Sequence, residues 1–593
     1  MFKVENLKKL RDELLKDVND AYLVFTSDPH DSEYVAQHFL DERLFFCPFT
    51  GSAGTLLVTK DEAYFYTDGR YWIQAGKQLE GSTIKLMKDG DPKTPRLTKL
   101  IKGLKLEKVA ANFSMISKSY IDNFEHAGIK LNDKDYSYLV EGRTELSDSK
   151  IFKLDDKLFT LTSKEKIEKI YEKLDEEGAE ANLISNLDDI AFILNVRGRD
   201  IPCNPVFYSY LYLSKKENVL FINPEKVDFE IEGVKIKPYD EVFEFLKERK
   251  DIPTLVDVGR TNAKICACLN KIVARKNPSY LMKAIKGEVE IENTKRIQEL
   301  DGLALVKFWK YLEENLDKNL SEYDYAEKLK EFRYESDQLF DLSFDTISAV
   351  GANAAQMHYE PTKEIHSIVS KKEMQLLVDS GGQYYGGTTD TTRMFNFGNL
   401  TDEYKHDYTL TLKSVIALTK SIFLEGVSGV TIDMKARQFM WEEGMDYKCG
   451  TGHGVGYILN VHEGPNNFRP KSRPGTEGID AIVPGMVTTI EPGVYKNEKY
   501  GIRIENNLVC VPAFETSDGK FFKFETITYV PIETRGLDLD LLTEGEVERL
   551  NEYHKDVYNR LSKLTKDVKL LAFLKEKTRP IRKPQKKTVI KYL

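Results

Sequence analysis

Cysteine is scarce in this chain. Six residues of 593, Cys47, Cys203, Cys266, Cys268, Cys449 and Cys510, are scattered through it, and no two form a CxxC pair. Thiols spaced this way give neither a disulfide framework nor a zinc ribbon, and they suit a reducing compartment. Long apolar runs are also missing: no window reaches the roughly eighteen uninterrupted apolar residues of a membrane helix. Nor is there a surplus of positive charge. The formal charge of −9 disfavours general binding to nucleic acid or to an anionic membrane. Only the final stretch, EKTRPIRKPQKKTVIKYL, is basic, and a solvated terminus is the expectation there. The opening segment, MFKVENLKKLRDELLKD, patterns as a charged amphipathic helix without the apolar centre of a secretory signal. A cytoplasmic location is therefore expected. Several catalytic signatures are missing too. There is no G-x-S-x-G and no P-loop, and GTGHGVG does not fit G-x-G-x-x-G. His462-Glu463 is not the start of an HExxH zinc helix, because Gly464 and Pro465 break it.

What is present is a large soluble chain. It is 41% apolar and 31% charged, the balance of a globular protein, and too long for a single core. Residues 1–150 alternate strand-like and helix-like runs. DAYLVFTS reads as a strand; RLFFCPFTGSAGTLLVTKDEAYFYTDGRY reads as a strand, a glycine turn and a hairpin across Lys60-Asp61-Glu62. Residues 181–223 echo this order: ANLISNLDDIAFILNVRG leads to VFYSYLYLSKKENVLFIN, again with a charged turn. Two α/β domains of one type, 1–150 and 151–290, are the expectation. The run KAIKGEVEIENTKRIQELDGLALVKFWKYLEENL has apolar positions at helical spacing and leads into a third block, 291–593, that holds every candidate catalytic residue.

In that block, LLVDSGGQYYGGTTDTTRMFNFG sets Asp379 and Asp390 at the two mouths of a glycine-rich turn. Two close carboxylates repel unless a proton or a cation lies between them, although a solvated hairpin carries such a pair too. CGTGHGVGYILNVHEGP holds His453 in a glycine run that lets the chain crowd a ligand, with His462 further on. VTTIEPGVY puts Glu491 in a Thr-rich apolar strand, and YGIRIENNLVCV puts Glu505 two residues after Arg503. An acid in a buried strand is costly unless it is paired or bound to metal. An Arg503–Glu505 ion pair on an exposed face is the competing reading. Asp379, Asp390, His453, Glu491 and Glu505 together give four carboxylates and one imidazole. Such hard donors suit Mn²⁺, Mg²⁺, Fe²⁺ or Co²⁺, and their number suits two ions bridged by carboxylates.

The ordered set DSGGQYYGGTTDTTR, GTGHGVG, TIEPGVY and GIRIEN resembles the pita-bread metallopeptidases. FTGSAGTLLVT, YTDGRYWIQA, NPVFYSY and NVHEGP extend the likeness over essentially the full length, to the three-domain cytosolic X-prolyl aminopeptidases (the aminopeptidase P family). The resemblance implies an α/β (α+β) fold of two creatinase-like N-terminal domains and a C-terminal pita-bread catalytic domain. It implies that Asp379 holds one ion, that Asp390 and Glu505 bridge both, and that His453 and Glu491 hold the other. His358, in GANAAQMHYEP, and His462 match substrate-contacting histidines of the family, and His453 lines the same pocket. Arg70, in TDGRY, matches an arginine that contacts the peptide across a dimer; a turn arginine paired with Asp68 is the alternative. Cys449 stands where several members carry a histidine.

The implied function is metal-dependent hydrolysis of the bond between an N-terminal residue and a proline at position two. Two ions, Mn²⁺ first with Co²⁺ or Zn²⁺ as alternatives, would lower the pKa of a shared water and yield hydroxide near neutral pH. Glu491 would carry the proton to the leaving nitrogen, and His358 and His462 would stabilise developing charge. The expected partners are peptides and a second copy of the chain in a homodimer, with no nucleic acid and no membrane. An X-Pro dipeptidase (prolidase) is the alternative enzyme, and a non-catalytic peptide-binding module is the alternative of another class.

Overall fold

In the computed structural model, which describes residues 2–472 and 481–584, the chain divides after Lys283 into two units. Residues 585–593 of the basic tail lie outside the described residues. The first unit carries two six-stranded sheets built on one plan. The first sheet runs Ile84–Lys88, Ala63–Thr67, Thr55–Thr59, Ala21–Phe25, Val109–Ala111, Leu131–Asp133. The second runs Lys235–Lys237, Asn218–Phe221, Tyr210–Ser214, Ala181–Ile184, Thr254–Val256, Ile272–Ala274. In both, the three middle strands pair antiparallel and the outer pairings are parallel. The two hairpins with charged turns seen in the sequence, at Lys60-Asp61-Glu62 and at Lys215-Lys216-Glu217, occupy equivalent positions.

The sequence expectation fails at one place in each copy, and in the same way. RLFF, read as a strand, ends the helix Gln37–Phe46, and most of NLDDIAFIL forms the helix Leu187–Leu194. Short apolar runs do not reveal their period. Here buried polar bonds decide: the Arg43 guanidinium donates to the carbonyls of Phe49 and Gly51, just past the helix end.

The second unit opens with the helix Glu288–Asn315. Its buried Ile297, Asp301, Leu305, Phe308, Trp309 and Leu312 recur every three or four residues, which is why a charge-rich segment folds as one long helix. The helix Glu322–Tyr334 follows, started by a reciprocal cap between Ser321 and Asp324. Strand Gln375–Ser380 lies between Ile347–Val350 and Thr391–Asn396, antiparallel to both. A six-stranded sheet runs Ile422–Leu424, Gly519–Thr526, Asn506–Thr516, Val487–Ile490, Gly452–Gly454, Glu463–Phe468. Leu377, Met394, Ile490, Ile504 and Leu508, each at most 1% exposed, share one core beneath these strands. Full burial of such a side chain is worth about 1.5–3 kcal/mol, so this core fixes the strand ends that carry the acids. Among the described residues, no helix is long and apolar enough to cross a membrane.

Candidate metal centre

Asp379 and Asp390 come near each other because Asp379 lies opposite Thr392 and Ser380 opposite Thr391, the residue after Asp390. The chain between them folds back as a small ribbon, Gly382–Tyr384 against Gly387–Thr388. Its turn needs glycine: Gly386 and Gly387 have φ of 134° and 149°. His453 sits in the short strand Gly452–Gly454, where its amide donates to the Thr489 hydroxyl at 3.0 Å. Glu491 follows the strand Val487–Ile490 directly, and Glu505 lies in the break between Tyr500–Arg503 and Asn506–Thr516.

These segments bring Asp390, His453 and Glu505 together, with one ligand atom from each within 4.8 Å of the others. His453 Nε2 is 3.3 Å from Asp390 Oδ2 and 3.3 Å from Glu491 Oε1. Its Nδ1 donates to the Gly454 carbonyl at 2.9 Å, which orients the ring so that Nε2 faces the acids. Glu505 Oε2 accepts from the Thr392 hydroxyl at 2.8 Å. Asp379 Oδ2 accepts from Arg503 at 2.6 Å, while Asp379 Oδ1 is buried with no hydrogen-bond partner.

That orphaned oxygen fits a cation, and so does the charge balance. Burial pushes the Glu505 carboxyl well above the usual range, and the charge of Asp390 beside it adds to this. Burial raises Glu491 too, against the pull of His453, and raises Asp379 against the pull of Arg503. Burial alone would lower the pKa of His453, but the Asp390 bond and the Glu491 charge hold it up at about 9. Burial thus works against the ionised form of these carboxyls, and a divalent ion is the natural partner for their charge.

The competing reading of Arg503 is corrected. Arg503 and Glu505 are not an exposed pair: both are buried, and Arg503 joins Asp379, Thr392 and Tyr495. Sequence reasoning missed this partnership, and also Asn507, whose amide donates to the Asp390 carbonyl. It missed Arg393 as well, which donates to the backbone carbonyls of Glu505 and Val530 and to the Tyr553 hydroxyl. His462 lies against His453, with ring centroids 4.2 Å apart. His358 follows Met357, whose carbonyl accepts from Arg503 at 3.4 Å. Cys449 packs against an apolar cluster of Leu410, Met440, Tyr447 and Val494. In the first unit, Arg70 makes a two-pronged ion pair with Asp68, at 2.8 Å on each prong.

The chain belongs to metallopeptidase family M24. The profile of that family matches residues 292–512, the profile of its C-terminal region matches 520–581, and creatinase/prolidase N-terminal domain profiles match 6–142 and 142–290. The fold is accordingly the α/β one expected, with creatinase-like N-terminal domains and a pita-bread domain. More particularly, it is similar throughout to a probable Xaa-Pro aminopeptidase P of Coprinopsis cinerea, with 37% identity over 97% of this chain and 98% of that one. Xaa-Pro aminopeptidase 1 of Dictyostelium discoideum is 34% identical over 97% and 96%. A crystal structure from Caenorhabditis elegans, described as an X-prolyl aminopeptidase, a cytosolic enzyme with a di-nuclear active site, matches with a TM-score of 0.92. It is 32% identical and covers 98% of this chain and 99% of its own.

Proposed function

We propose that this protein is a two-metal aminopeptidase that removes the first residue from peptides with proline at position two. The observation that carries the reading is the buried cluster of Asp390, His453 and Glu505, flanked by Glu491 and by the unpartnered oxygen of Asp379. The full-length likeness to proteins named Xaa-Pro aminopeptidase supports the substrate class. Asp379 would hold one ion, Asp390 and Glu505 both, and His453 and Glu491 the other, with Mn²⁺ the first candidate and Co²⁺ or Zn²⁺ behind it. Bound there, the ions would supply a nucleophile from water and polarise the scissile carbonyl.

The remaining work falls to side chains. Glu491, half-buried and raised by that burial, takes a proton and returns it to the leaving proline nitrogen. His358 and His462 donate hydrogen bonds to the carbonyl as charge develops on it. The acidic cluster holds the free N-terminal amine, which limits cleavage to one residue. His453, beside His462, closes that side of the peptide site. Arg70 reaches the peptide from a second copy in a homodimer, in place of its bond to Asp68. A cytoplasmic location fits the scattered free thiols. An X-Pro bond is a tertiary amide, so a pocket that anchors the pyrrolidine ring turns a poor substrate into a preferred one.

The test is to strip the metal, add Mn²⁺ and follow Arg-Pro-Pro peptides by mass. Loss of the first residue only is expected. Changing proline to alanine at position two should lower kcat/KM by at least about 100-fold. Equal cleavage of the two peptides would refute the assignment, and a strict preference for the dipeptide would move it to the X-Pro dipeptidases.

A further inference from the structure

We propose that Glu322 is the positioning residue for His358. This rests on the catalytic reading above, in which His358 touches the substrate. Glu322 is the first residue of the helix Glu322–Tyr334, lies away from the metal centre in sequence, and is 0% exposed. Among the described residues, every hydrogen-bond donor to its carboxylate comes from residues 350–367, the segment that carries His358. The Val350 amide donates to Oε1 at 2.7 Å, and the Asn353 side-chain amide reaches both oxygens at 3.0 and 3.1 Å. The Tyr359 hydroxyl and the Ser367 amide each donate to Oε2 at 2.7 Å. The Glu322 amide in turn donates to the Ser367 carbonyl at 2.9 Å. One buried carboxylate therefore closes both ends of the segment and grips its middle.

A second contact fixes the segment from the other side. The Met357 carbonyl accepts from Arg503 at 3.4 Å, and the same guanidinium nitrogen holds Asp379 at 2.6 Å. A Cβ on Gly501 would meet the Ala354 carbonyl oxygen at 1.7 Å, so the strand Tyr500–Arg503 lies directly against the segment. His358 thus sits between a residue tied to the metal-centre arginine and a residue tied to Glu322. An ionised carboxylate is acceptor-only, which matches a ring of donors alone. Its buried charge is tolerable because each oxygen is satisfied more than once.

The test is Glu322→Gln, which keeps the shape but turns an NH₂ group toward one side of that ring of donors. We expect kcat for an X-Pro peptide to fall at least about tenfold with KM nearly unchanged, because a displaced donor is felt most in the transition state. Elemental analysis should find the metal content unaltered, and amide exchange across 350–367 should speed up with or without metal. In a His358→Ala background the same substitution should cost less than about twofold, since its route of action is gone. Tyr359→Phe, which deletes one donor and keeps the carboxylate, should give a smaller loss with the same dependence on His358, and it serves if Glu322→Gln does not fold. An undiminished kcat in Glu322→Gln, or an equal loss in both backgrounds, would overturn the positioning role. Full activity of His358→Ala by itself would instead overturn the catalytic role of His358, and this proposal with it.

Discussion

Cys449 tests how far proximity in sequence implies a chemical role. It shares a glycine-rich loop with His453, yet the group of side chains poised for an ion, among the described residues, is Asp390, His453 and Glu505. Its surroundings are Met440, Tyr447 and Val494. A thiolate there would add negative charge beside carboxyls that burial already makes reluctant to ionise. Cys449→Ser should therefore keep both ions and lose less than about tenfold in kcat/KM. A serine variant that loses an ion in elemental analysis would make the thiol a ligand. The five candidate ligands were legible at this scale because each stands in a local pattern: glycines around His453, a Thr-rich apolar strand before Glu491, an alternating strand around Glu505. Arg503 was legible as a residue but not as a partner of Asp379, because the pairing joins strands 124 residues apart. Glu322 gave no signal, since an acid at the start of a helix is ordinarily a surface residue favoured by the dipole.

At the scale of elements, long helices and direct hairpins could be read, whereas RLFF and DDIAFIL could not, because buried polar groups rather than period fix their state. The helix Glu544–Leu561 has a feature that only packing reveals. His554 on it is 0% exposed, and its Nε2 accepts from the Ile532 amide at 3.1 Å. Burial, with some help from Arg393, pushes its pKa down to about 4. In the unfolded chain a histidine titrates at about 6.5 and so binds the proton more readily than in the folded one. Stability from this group is therefore complete above about pH 6.5 and is lost as pH falls toward about 4, by roughly 3 kcal/mol in all. His554→Gln keeps an acceptor for Ile532 and removes the titration. Urea unfolding of both proteins should show the stability difference between them shifting by about 2 kcal/mol from pH 7 to pH 5, against the wild type. A difference that stays constant would mean that His554 is not held neutral by the fold.

For the whole molecule, the two units differ in what they need to be stable. The first unit pairs buried acids with its own cations, Asp188 and Asp189 with Lys283 and Asp200 with Lys226, and its sheets bury Leu23, Leu57, Leu183 and Leu211 at 1% exposure or less. The second unit gathers Asp379, Asp390, Glu491 and Glu505 around one imidazole, and burial leaves three of these carboxyls reluctant to ionise. Divalent ions remove that penalty only where the acids are. At about 100 times its dissociation constant, one bound ion stabilises the native state by about 2.7 kcal/mol. Amide exchange should therefore slow when Mn²⁺ is added to stripped protein, by up to about 100-fold per ion, in strands Gln375–Ser380 and Thr391–Asn396. Strands Thr55–Thr59 and Tyr210–Ser214 of the first unit should exchange as before. Asp390→Asn removes a carboxylate proposed to touch both ions, so it should abolish the slowing as well as the activity. Equal slowing in both units would place the effect of the metal outside the acidic cluster, and an Asp390→Asn variant still protected by Mn²⁺ would remove Asp390 from its centre.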